Sequence, residues 1–176
     1  FECFHLLSPY TLVCSHQGTL SNMRKVTVIS GGQTGADRAG LEAAMLLRLP
    51  IDGFVPKGRK AEDGFVPSRY TLREADSSSY MERTRLNVEL SDVVLIYSKS
   101  PLTSGTMRTR DIAHEQSKSV FLTKTVGELE KFRHWLSRFE GAELRIMVAG
   151  PRESKDPGIY DRSLPTFYLF LKETTT

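Results

Sequence analysis

Five short apolar runs, VTVIS, IDGFV, VVLIY, SVFLT and LRIMVA, recur along the chain with helix-period segments between them. That rhythm fixes the architecture class, because a strand followed by an amphipathic helix returns to the same sheet as a parallel neighbour. The expectation is an α/β, Rossmann-like three-layer sandwich around a five-stranded, mostly parallel sheet. At 176 residues and 39% hydrophobic content the chain can bury one core and is short for two. Residues 23–176 therefore read as a single domain. Residues 1–22 have an apolar middle but neither a basic start nor a small-residue cleavage pattern. They read as an extension ahead of Met23.

The helices follow from spacing. Ala36, Ala39, Gly40, Ala43, Ala44 and Leu47 repeat with a helical period, and small side chains let that helix lie close on the sheet. Met81, Thr84 and Val88 mark a second helix, and Thr109, Ile112, Ala113 and Gln116 a third. A capping box of Thr125 and Glu128 opens a fourth, whose stripe is Leu129, Phe132, Leu136 and Phe139. Asp156 and Pro157 suit the N-cap and first turn of a last helix, which Pro165 should kink or split. Residues 56–80 read as a long irregular loop, the kind that serves as a lid or subunit contact.

Several function classes drop out. With 24 Lys plus Arg against 21 Asp plus Glu, a charge of +3 is too mild and dispersed for nucleic acid. Both cysteines, Cys3 and Cys14, precede the folded body, which leaves it no disulfide and no thiolate ligand. The four histidines lack metal-ligand spacing, so no metal site is expected. Charged residues interrupt every apolar stretch before the roughly 18 residues a membrane span needs. A cytoplasmic, non-membrane protein is expected.

The chemistry concentrates in two glycine loops. GGQTG, residues Gly31, Gly32, Gln33, Thr34 and Gly35, links the first strand to the first helix, and Ser104, Gly105 and Thr106 follow the third strand. Glycine lets backbone approach an anion, and N–H groups at a helix N-terminus donate to its oxygens. In a doubly wound sheet such loops face the crevice beyond the strand ends, and a strand order of 2-1-3-4-5 would make these two neighbours. Asp37 is placed to accept from a ligand, while Lys57 and Arg59, on the loop after strand two, are placed to clamp a second anionic group. The first loop is neither GxGxxG nor GxxxxGK[ST], which argues against a dinucleotide cofactor and a Walker-type NTPase. No nucleophile with its base appears in any recognisable order, so no catalytic residues are assigned. The site as read takes a phosphate-bearing small molecule.

These blocks also carry a resemblance. VISGGQTGADRAGLEAA, PKGRKAEDG, RTRLNVELSD with VVLIY, SGTMRT, and VAGPRES with DPGIY resemble the molybdenum carrier family over nearly everything from Met23 to about Tyr160. The resemblance implies a Rossmann-like fold, a homo-oligomer, and non-covalent holding of molybdenum cofactor, a pterin bearing a phosphate. That family is similar to the cytokinin-activating phosphoribohydrolases of the lysine decarboxylase-like group, whose loop reads PGGxGTxxE. Here the stretch is LTSGTMRT, with Thr109 where their catalytic glutamate stands, which counts against hydrolysis. A nucleotide-processing enzyme and a sensor of a nucleotide-derived ligand are the alternatives to a carrier.

Overall fold

The computed structural model describes residues 24–99 and 101–175. The expected extension over 1–22 lies outside them. In chain order the elements begin with β1 (Lys25–Ile29), α1 (Ala36–Leu46), β2 (Ile51–Asp52) and β3 (Phe54–Val55). Then come β4 (Lys60–Ala61), β5 (Gly64–Phe65), β6 (Arg73–Glu74), α2 (Tyr80–Leu90) and β7 (Val93–Tyr97). The last are α3 (Ser104–Glu115), β8 (Ser119–Thr123), α4 (Leu129–Leu136), β9 (Glu143–Ala149) and α5 (Ile159–Glu173).

β2, β1, β9, β7 and β8 form the main five-stranded sheet in that order, with every pairing parallel. Side-chain alternation divides the core. Val26, Val28, Leu95, Ile146 and Val148 face α1, α4 and α5, whereas Ile29, Val94, Ile96, Met147 and Ala149 face α2 and α3. This is the three-layer sandwich expected.

The strand order is not 2-1-3-4-5. The last strand, β9, inserts between β1 and β7, pairing Val28 with Ile146 on one side and Leu95 with Val148 on the other. Its physical reason lies in the strand itself: Ile146, Met147, Val148 and Ala149 are all buried, so it needs cover on both faces, which a central position supplies.

Three local readings also differ. The second apolar run breaks at Gly53, whose φ is 134° and whose added Cβ would sit 2.3 Å from the Ser30 carbonyl oxygen. Its two halves therefore pair in different sheets, β2 with β1 and β3 with β6. Residues 56–80 are not irregular: they hold the β4–β5 hairpin and β6, which pairs with β3, and their Ala61, Val66, Tyr70 and Leu72 form a small core with Val55 over Leu41 of α1. Finally, α5 starts at Ile159 with left-handed Gly158 as its N-cap, and runs unbroken through Pro165. Pro165 is on the exposed face, where its ring meets solvent and the missing N–H leaves the preceding turn's carbonyl open to water.

Candidate functional site

The site lies where β7 and β9 end side by side while their connections leave to opposite faces, β7 into α3 and β9 towards α5. Such a switch point leaves a crevice at the carboxyl edge of a parallel sheet. Here it has a volume of about 260 Å³, floored by Met147, Ala149 and Gly150. Gly150 is needed because a Cβ there would lie 2.4 Å from the Tyr97 carbonyl oxygen and 2.6 Å from the Ala36 Cβ.

Of the expected residues, Gln33, Asp37, Ser104, Gly105 and Thr106 all line this crevice. The two loops stand two strand spacings apart, about 10 Å, because β9 separates them. Thr103 caps α3, its hydroxyl accepting from the Thr106 N–H. The N–H groups of Ser104 and Gly105 precede the first intrahelical bonds and have no acceptor within the helix. An added Cβ at Gly105 would meet none of the described residues within 4 Å, which leaves the backbone there open to a ligand.

The other glycines of the first loop shape it from behind. A Cβ on Gly31 would fall 1.8 Å from Nη1 of Arg83, so this glycine is the bed on which the guanidinium lies. Gly32, at φ 66°, packs against Val66 and Leu72, and Gly35, at φ 76°, against the Pro151 carbonyl and Ile159. Thr34 and Gly35 border a separate depression with Arg38, Glu62, Tyr70 and Tyr160. Lys57 is exposed and outside the crevice. Arg59 spends its guanidinium on the carbonyls of Val66, Pro67, Tyr70 and Leu72, fixing the 60–72 segment.

Electrostatically the crevice is basic. Arg83, Arg108, Arg152 and Lys155 line it against one carboxylate, Asp37. Asp37 and Arg83 form a buried ion pair at 3.4 Å, and the Gln33 N–H also donates to the Asp37 carboxylate. Burial pushes the Asp37 carboxyl above its ordinary range, against the pull of Arg83 and of that N–H. Arg152 lies over the Tyr80 ring at the mouth, 5.5 Å from its centroid.

Two donors in this wall stand out. Gln33 and Arg83 are only 6% and 7% exposed, yet Gln33 Nε2 and Arg83 Nε are buried and find no hydrogen-bond partner among the described residues. Asn87, one turn after Arg83, instead bonds both the N–H and the carbonyl of Phe54 and is structural. Glu62 belongs to the latch behind the loop: it accepts from the Thr34 hydroxyl and from the Ser154 hydroxyl and N–H. Asp63 is held by Arg38. Sequence reasoning passed over Arg108, Lys155 and Tyr80. Arg108 was within reach, standing two residues after Thr106 in SGTMRT.

Fold and crevice together define a Rossmann-like α/β protein with a basic cleft at its sheet's switch point. The chain belongs to the circularly permutated YpsA SLOG family, whose model matches residues 28–171. It is also similar to a crystal structure at 1.45 Å, that of "Putative molybdenum carrier protein" from Syntrophus aciditrophicus SB, with 36% identity and a TM-score of 0.69. That match covers 85% of this chain and 97% of the other. No curated protein matches. The strand order agrees with the family's description: moving the first strand of a 3-2-1-4-5 Rossmann sheet to the end of the chain yields 2-1-5-3-4, the order found here.

Proposed function

We propose that the protein binds and carries a phosphate-bearing small molecule, with molybdenum cofactor as the specific cargo, in the crevice between Gln33, Asp37 and the N-terminus of α3. The observation that carries this reading is the convergence of both glycine-loop segments and four cations on one small cleft. The donor set suits the phosphate end of such a ligand: backbone N–H groups, hydroxyls and guanidinium groups. At about 260 Å³ the crevice is below the roughly 300–1,000 Å³ of sites that enclose a drug-sized ligand, so the heterocycle would extend past Tyr80 and Arg152. The name of the Syntrophus aciditrophicus relative supports molybdenum as the cargo's metal.

Carriage is favoured over hydrolysis by what stands at the crevice wall. Thr109 uses its hydroxyl to bond the Gly105 carbonyl at 3.2 Å, and the crevice's single carboxylate is tied up by Arg83. A hydroxyl turned to a carbonyl and a carboxylate facing a guanidinium suit holding an anion better than relaying a proton.

Gly105→Asp tests the site without disturbing the fold, since the position is open and a carboxylate favours a helix's first turn. In a titration with molybdenum cofactor we expect affinity to fall at least a hundredfold while the unfolding temperature holds or rises. Unchanged affinity would remove this crevice from the account.

A further inference from the structure

The wall of the crevice holds two sets of donors, and one of them is already fixed in place. Gln33 Oε1 accepts from the N–H groups of Thr34 and Glu62, each at 3.0 Å. Both neighbours are donors, so the amide can only present its NH2 group away from them. Arg83 is fixed in the same way, bedded on Gly31 and paired through Nη1 with Asp37. The Nε2 of Gln33 and the Nε of Arg83 thus stand in residues of the crevice wall as buried donors with no acceptor among the described residues. Native proteins rarely leave such groups unmatched, and an ordered water or, in a binding crevice, a ligand oxygen completes them.

The second set is the N-terminus of α3, with the Ser104 and Gly105 N–H groups and the Thr106 hydroxyl, beside Arg108. A single phosphate monoester, carrying roughly −1.5 to −2 at pH 7, satisfies one of these sets. Charge argues for more. With Arg83 paired to Asp37 and Arg152 at 3.7 Å from Glu62 behind the loop, Arg108 and Lys155 remain as lining cations with no carboxylate partner among the described residues.

Resting on the binding role argued above, we propose that the ligand carries two linked phosphoryl groups, one at the N-terminus of α3 and the other on Gln33 Nε2 and Arg83 Nε. The cargo is then an organic diphosphate, which for molybdenum cofactor means a form whose phosphate is joined to a second phosphoryl group.

Inorganic pyrophosphate and inorganic phosphate serve as probes, titrated calorimetrically into the purified protein at fixed ionic strength, with citrate as a polyanion lacking phosphoryl groups. Pyrophosphate should bind at least tenfold tighter than phosphate, and citrate more weakly than pyrophosphate. Gln33→Glu keeps the oxygen that Thr34 and Glu62 need but removes the donor, and Arg83→Lys keeps the cation beside Asp37 but has no Nε–H. In each variant the pyrophosphate advantage over phosphate should shrink to less than threefold, with an unfolding transition near that of the parent. Equal affinity for the two phosphate probes in the parent overturns the two-seat proposal and leaves the binding role standing. So does citrate binding as tightly as pyrophosphate, or a pyrophosphate advantage that survives in both variants. Failure of both phosphate probes to bind overturns both readings.

Discussion

Glu62 shows how a charged side chain can hold loops together at a site without entering it. Its carboxylate gathers Thr34 from the first glycine loop and Ser154 from the loop after β9, with Arg152 at 3.7 Å. Burial pushes its carboxyl up, but the Ser154 and Thr34 hydrogen bonds outweigh that and bring it below its ordinary 4.5. A carboxyl depressed on folding contributes stability above its unfolded value and loses it as pH falls through the folded one. Glu62→Gln should therefore destabilise by about 2 kcal/mol at pH 6 and by progressively less below pH 4.5, read by urea unfolding across pH. A difference that ignores pH would show that the ionised latch is not what matters. Asp37 has the opposite sign. Its raised value means that burial costs stability as pH climbs from 3.8 through the folded value. Residue types and loop context pointed to Gln33, Asp37 and the α3 loop in the sequence. The burial of Arg83 was not legible there, because it depends on the absence of a side chain at Gly31 and on a carboxylate 46 positions away.

At the scale of elements, period and burial made most of the fold readable. The small-residue stripe of α1 does seat that helix close: a Cβ on Gly40 would lie 2.3 Å from the Val148 side chain of β9. What escaped were choices decided by packing. Pro165 reads as a breaker, yet α5 buries Ile159, Phe167, Phe170 and Leu171 along one face and continues through it. Burial of four large side chains, each contributing about 1.5–3 kcal/mol, outweighs the roughly 3 kcal/mol that an interior proline costs. Pro165→Ala should accordingly stabilise the protein, by about 1–3 kcal/mol in equilibrium unfolding, since the exposed ring supports no core contact. A loss of stability would mean that the proline shapes α5 in a way the native packing requires.

The whole molecule is organised around β9, whose position no local pattern announces. LRIMVA reads as a buried strand in any order, and only pairing with β1 and β7 makes it central. Its flanks, β1 and β7, do not touch within the sheet without it. Deleting residues 143–175 should abolish cooperative unfolding and leave a compact state without fixed tertiary packing, seen as lost near-ultraviolet circular dichroism. A cooperative transition in the truncated chain would show that the two halves are independently stable.

Because β9 is the last strand in the chain, both glycine turns are synthesised before the strand that sets them on either side of one cleft. The cleft comes into being only when that closing staple slides home. An unfinished chain therefore carries both glycine turns but no cleft between them.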